Sequence, residues 1–181
     1  EATALKLSAV LVASTFTVVE VLDGFTDRWK FSKEDAIMNL FGAGLAVVME
    51  TSPRLDALVD FRFMYRPGES GRGVHPVSDY TGQTYLMVGK ASGVPSLRNH
   101  SVLRYVELAV GYGTRGYHLD PSLEGERARN IYYGVSINLA EVLDQTVFRG
   151  AVQKSPVQLA ADGFLEVFQI PGTVALAHRQ Q

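Results

Sequence analysis

Apolar residues change their spacing near residue 58. Before it they gather in two unbroken runs; beyond it they alternate with polar and small residues. The first run, Leu5–Leu22, reads LKLSAVLVASTFTVVEVL and holds 13 uncharged residues from Leu7 to Val19. A run of about 10–14 apolar residues is short for a bilayer span, which predicts a core helix or one at a membrane edge. A signal-peptide core is the rival, but no small-residue cleavage site follows before Glu20. The second run, Ala36–Met49, opens with Ser32 as a cap and with Glu34 and Asp35 in the first turn, where the helix dipole favours negative charge. Gly42 and Gly44 weaken this helix in isolation, by about 1 kcal/mol each, and predict a close backbone neighbour such as the first helix. The two runs form a helical hairpin that turns through residues 23–31.

After Asp56 the period is two. In Val59–Arg66 the residues Val59, Phe61, Phe63 and Tyr65 alternate with Asp60, Arg62, Met64 and Arg66. A strand is expected at 81–91 and a weaker one at 164–170. The clearest pair lies between them. Val106, Leu108, Val110, Tyr112 and Thr114 alternate with Glu107, Ala109, Gly111, Gly113 and Arg115. Ile131, Tyr133, Val135, Ile137 and Leu139 alternate with Asn130, Tyr132, Gly134, Ser136 and Asn138. Such alternation predicts an antiparallel meander. The fold class is therefore α+β, an N-terminal helical hairpin followed by an antiparallel meander sheet packed on it. The chain is read as a single domain over 1–181, with a helical half to residue 58 and a strand-rich half from 59. Pure alternation is also the mark of membrane barrels, so a small β-barrel or partial barrel with N-terminal helices is the alternative. Five strand candidates fall short of the eight or so that a single-chain membrane barrel needs.

Composition narrows the function classes. The 181 residues carry 17 Lys+Arg against 19 Asp+Glu, a formal net charge of -2, with 46% hydrophobic residues. That balance supplies no electrostatic reason for nucleic-acid binding. The absence of Cys excludes disulfides, cysteine-ligated zinc and thiol catalysis within these residues. No cofactor is implied. The chain begins at Glu1 rather than Met, so any targeting segment is expected to have been removed.

No motif settles a chemistry. His75, His100, His118 and His178 are scattered and never stand at i, i+3 or i+4 from one another, so no helix-borne metal pair exists. Ser70 in Gly68-Glu69-Ser70-Gly71-Arg72 lacks the second glycine of a nucleophile elbow. Acidic residues are more suggestive. Glu20 and Asp23 (i, i+3) end the first helix, while Asp35 and Asn39 (i, i+4) begin the second, so a hairpin brings the four together. Carboxylates on apolar helices need partners, caps or solvent. They could otherwise hold a hard cation or share a proton for acid–base work, although ending and capping the helices explains them equally. On the sheet, Glu107 and Arg115 share a face with Asn130, Tyr132, Ser136 and Asn138. That face is either solvated or a polar groove for a headgroup or sugar. Trp29, Phe31 and Phe25 near the turn pack there or anchor at a membrane interface.

The order of segments resembles a known family. Glu20-x-x-Asp23-Gly24-Phe25, then Phe31-Ser32-x-x-Asp35-x-x-x-Asn39-x-x-Gly42-Ala43, is similar to the YfiM-like family of predicted periplasmic lipoproteins. Asp60-Phe61-Arg62, Asp79-Tyr80-x-Gly82-Gln83-x-Tyr85, Leu103-Arg104-Tyr105-x-Glu107-Leu108 and Tyr133–Leu139 look like its longer members. The resemblance runs from about residue 20 to 173 and implies the bacterial periplasm or outer membrane, with no activity. A lipoprotein is anchored through an N-terminal Cys; with none here, either the anchor lay in a removed segment or the chain is held differently.

The expectation is a non-enzymatic cell-envelope protein, structural or lipid-binding, at the outer membrane or its periplasmic face. Its partners are membrane lipid, an envelope protein or a second copy of the chain. An envelope hydrolase or transferase using Glu20, Asp23 and Asp35 is the alternative, and a subunit of a larger envelope assembly is a third.

Overall fold

The computed structural model describes residues 2–25, 33–67, 74–76, 79–116, 126–151 and 153–180. The chain forms two compact units, Glu1–Asp56 and Ala57–Gln181.

The first unit is helical. Helices α1 (Ala2–Asp23) and α2 (Lys33–Thr51) cover the two apolar runs and pack on each other. The turn at 26–32, with the Ser32 cap, Trp29 and Phe31, lies outside the described residues. Large apolar side chains stay exposed around both helices, among them Leu7, Leu11 and Phe16 on α1 and Ile37 and Phe41 on α2. Among the described residues, no helix is long and apolar enough to cross a membrane. The glycine expectation fails: a Cβ added at Gly42 or Gly44 would meet nothing within 4 Å, so no neighbouring backbone requires them.

Helix α3 (Pro53–Leu58) leads directly into the strands. The second unit is a five-stranded antiparallel meander, β1 (Val59–Tyr65), β2 (Gln83–Lys90), β3 (Val106–Arg115), β4 (Ala128–Ile137) and β5 (Val174–Gln180), in the order β1-β2-β3-β4-β5. Between β2 and β3 lies the single-turn helix α4 (Pro95–Arg98). Two further helices separate β4 from β5: α5 (Leu139–Thr146) and α6 (Pro156–Val167). The fold class is α+β, as expected, and the sheet is open rather than closed into a barrel.

Two boundaries differ from expectation for local reasons. The alternation through Leu139 stops at Ile137, because the Asn138 side chain accepts from the Glu141 N–H and caps α5. Residues 164–170 are not a strand. Ser155 accepts from the Gln158 N–H, Pro156 fills the first turn, and α6 runs through Val167. That start signal outweighs the strand-forming side chains of FLEVF. Only Phe168 bridges a strand, parallel to Phe63 on the outer edge of β1. The fifth strand is instead Val174–Gln180, beside β4.

Register lines the strands up in rows. Val59, Gly89, Leu108, Val135 and Ala175 form one; Phe61, Met87, Val110, Tyr133 and Ala177 the next; Phe63, Tyr85, Tyr112 and Ile131 another. All lie on one face. The other face holds the core, Met64, Leu86, Val88, Ala109 and Val174, with Leu176 packed against it. Glycine keeps the strands close there: a Cβ on Gly134 would stand 1.9 Å from the Ala175 carbonyl oxygen.

Candidate functional site

The core face of the sheet is also its charged face. Arg62 on β1 is buried and clasps Glu107 on β3, donating from Nη1 to Oε2 at 2.9 Å and from Nη2 to Oε1 at 2.8 Å. Its Nη2 also donates to Asp60 at 2.5 Å, and Lys90 on β2 closes the chain on the other Asp60 oxygen. Glu107 is 0% exposed. On the far side Arg62 Nη1 donates to Gln169 Oε1 at 3.0 Å, and Gln169 Nε2 donates to Ser136 Oγ of β4 at 3.1 Å and to Thr173 Oγ1 at 2.6 Å. Glu107 and Ser136 are cross-strand partners, so one glutamine side chain ties the Arg62 guanidinium, reaching over from β1, to β4.

This network is saturated. No buried side-chain N or O lacks a partner among the described residues. Burial would lower the Arg62 pKa, but the hydrogen bond and charge of Glu107, then of Asp60, outweigh it and raise the value above the ordinary arginine range. A raised cation contributes its stability below its ordinary pKa and loses it only as pH climbs past the folded value, so this guanidinium stays charged at every pH the protein meets. Buried ions of this kind are costly unless paired and hydrogen-bonded, and here each is.

The opposite face is apolar and open. Leu108 is 67% exposed, Tyr133 56%, Tyr85 55% and Val110 52%, with Phe61, Met87, Tyr112, Val135 and Ile137 also exposed. A hollow of about 480 Å³ opens on it, lined chiefly by Phe61, Phe63, Tyr85, Met87, Val110 and Tyr112. Phe63 packs against Tyr85 and Phe168, whose ring stacks on Phe164 of α6. Burial, then the charge of Tyr80, raises the Tyr85 phenol, which stays neutral and donates to Gln83 Oε1 at 3.0 Å. A water-soluble antiparallel sheet commonly hides one apolar face and wets a polar one. Here the hidden face mixes an aliphatic core with paired charges, and the open face is apolar too.

The residues singled out from the sequence separate accordingly. Glu20 is 9% exposed on α1, and Asn39 is half-buried on α2. Asp23 and Asp35 fall in α1 and α2, but their side chains lie outside the described residues, so the four-residue convergence does too. Glu107 is held by Arg62, whereas Arg115, at the end of β3, is exposed. The solvated reading of their face is overturned, since Glu107, Ser136 and Asn138 are buried. Arg62, Asp60 and Gln169 carry no candidate role in the sequence reading, although Asp60-Phe61-Arg62 enters the family resemblance. Asp60 and Arg62 stood in the alternating run of β1, but their link to Glu107, 45 residues away from Arg62, appears only once the strands are in register. His118, Ser70 and Arg72 lie outside the described residues. Among the described residues, no group of three or more His, Asp or Glu side chains could hold a metal ion.

Comparison with known proteins finds a likeness within the first unit. Residues 1–51, the helical unit, match the model of a family described as predicted periplasmic lipoprotein (DUF2279). The localisation expected from the sequence, bacterial periplasm or outer membrane, agrees with that description. No curated protein and no solved structure matches the chain.

Proposed function

We propose that this is a non-enzymatic cell-envelope protein, structural or lipid-binding, that rests the apolar face of its sheet against the outer membrane from the periplasmic side. One observation carries the reading: one face of the sheet buries the paired charges together with a small aliphatic core, and the other face exposes rows of aliphatic and aromatic side chains. Contiguous exposed apolar surface of this kind marks a membrane or protein contact. The match to predicted periplasmic lipoproteins favours the membrane, and the resemblance of the later segments to the YfiM-like family points the same way. The open sheet favours contact over insertion. Spanning the bilayer would strand the backbone N–H and C=O groups of the edge strands in hydrocarbon. Lying on one leaflet leaves those edges at the hydrated headgroups.

Vesicle flotation tests the reading. The wild-type chain is expected to float with phospholipid vesicles, and Leu108→Asp or Val110→Asp to remain in the aqueous fraction with unchanged circular dichroism. Wild type that stays monomeric in buffer and never floats would refute it. A stable dimer that no vesicle dissociates would transfer the apolar face to a second copy.

A further inference from the structure

The two edges of the sheet differ in what covers them. The outer side of β1 is already engaged: Phe168 bridges Phe63, and the Phe63 carbonyl accepts from the Gln169 N–H at 3.0 Å. β5 is the other edge strand and pairs with β4 alone. The Thr173 carbonyl accepts from the Ile137 N–H, which extends the β4–β5 register by one pair and sets its phase. Alternate residues of an antiparallel strand bond the same neighbour. Ala175 and Ala177 therefore turn their backbone groups to β4, while Leu176 and His178 turn theirs outward. Among the described residues, no hydrogen bond covers that outer side. Proteins usually blunt a bare edge with Pro, Lys, a bulge or a covering segment. Val174–Gln180 holds neither Pro nor Lys, its register with β4 runs without a bulge, and Ala175, Ala177 and His178 are exposed.

We propose that the β5 edge pairs with β5 of a second copy of the chain, antiparallel about a two-fold axis at Ala177, joining two five-stranded sheets into one. This goes beyond the membrane reading and does not depend on it, because an edge is joined and the apolar face stays open. Ala177 is the middle residue of β5, so this register alone pairs the strand over its whole length. Leu176 then stands opposite His178 of the second copy, and their outward backbone groups bond each other. Arg179 falls opposite Ala175 of the second copy, so the one arginine of the strand does not face itself. Ala177 meets its own copy in a non-hydrogen-bonded pair, where side chains come closest, and two methyl groups fit there. The apolar row of Phe61, Met87, Val110, Tyr133 and Ala177 runs on across the axis. Phe168 and Gln169 obstruct the β1 edge, so growth stops at two copies instead of continuing into a fibre.

The absence of Cys lets an introduced thiol report the axis. In the proposed register the two Ala177 Cα atoms lie about 4.5 Å apart, within disulfide reach. The two Ala175 Cα atoms lie about 14 Å apart, beyond it. Both alanines are exposed on the same face, so random collision would link them equally. Full chains carrying Ala177→Cys or Ala175→Cys are oxidised with copper phenanthroline and separated without reductant. Ala177→Cys is expected to shift to the mass of a dimer and Ala175→Cys to stay at that of a monomer. Adding His178→Pro to Ala177→Cys removes an outward N–H that β4 does not use, an edge position that tolerates proline. That change should abolish the cross-link with circular dichroism unchanged. Equal cross-linking at both alanines, no cross-link at Ala177→Cys, or a cross-link that survives the proline would overturn the pairing and leave the membrane reading in place. The cross-linked dimer is expected to float with phospholipid vesicles; one that forms but never floats would sink the membrane reading and keep this one.

Discussion

At the scale of single residues, Arg62 is the side chain on which most others depend. It spans from β1 to β3 and, through Gln169, to β4, so three strands share one guanidinium. Removing one member of a buried ion pair leaves the other charged and desolvated, typically at a cost of about 3–5 kcal/mol. Glu107→Ala is therefore expected to lower the unfolding free energy by about that amount in a denaturant titration. Gly134 has a different role. Any Cβ there would enter the Ala175 carbonyl, so Gly134→Val is expected to part β5 from β4 and speed amide exchange along Val174–Gln180 before the rest of the sheet.

At the scale of elements, the alternation of β1, β3 and β4 was legible because each strand has two chemically distinct faces. Which face meets solvent was not. Period two divides residues into two sets, and only the cross-strand register shows that Asp60, Arg62, Lys90 and Glu107 satisfy one another and can be buried together. The candidate site was legible to the same degree: Glu107 stood out as a carboxylate on a strand, while its partner did not. α6 and β5 were missed because local cues conflicted. FLEVF is rich in strand-forming side chains, yet Ser155 and Pro156 start a helix, and VALAHRQ is too small and polar to announce itself. Ser155→Ala is expected to cost about 1 kcal/mol through the lost cap, read as a lower urea midpoint. Because α6 carries Phe164 beside Phe168, the same change should loosen the Phe168 bridge to β1.

At the scale of the whole molecule, both units expose apolar surface that a free soluble protein would hide, the helices around their circumference and the sheet over one face. The central claim is that the sheet's apolar face meets lipid. The absence of Cys makes it directly testable, since a single introduced cysteine is the only reactive thiol among the 181 residues. Nitroxide labels placed one at a time at Leu108, Val110, Tyr112 and Tyr133 of the apolar face and at the exposed Arg98 as a control, on vesicle-bound protein, report access to oxygen dissolved in the bilayer against access to a water-soluble nickel chelate. The account predicts that Leu108, Val110, Tyr112 and Tyr133 are exposed to oxygen and shielded from the chelate. Arg98 should stay open to the chelate. Equal exposure of Leu108, Val110 and Tyr112 to the chelate with and without vesicles would contradict it.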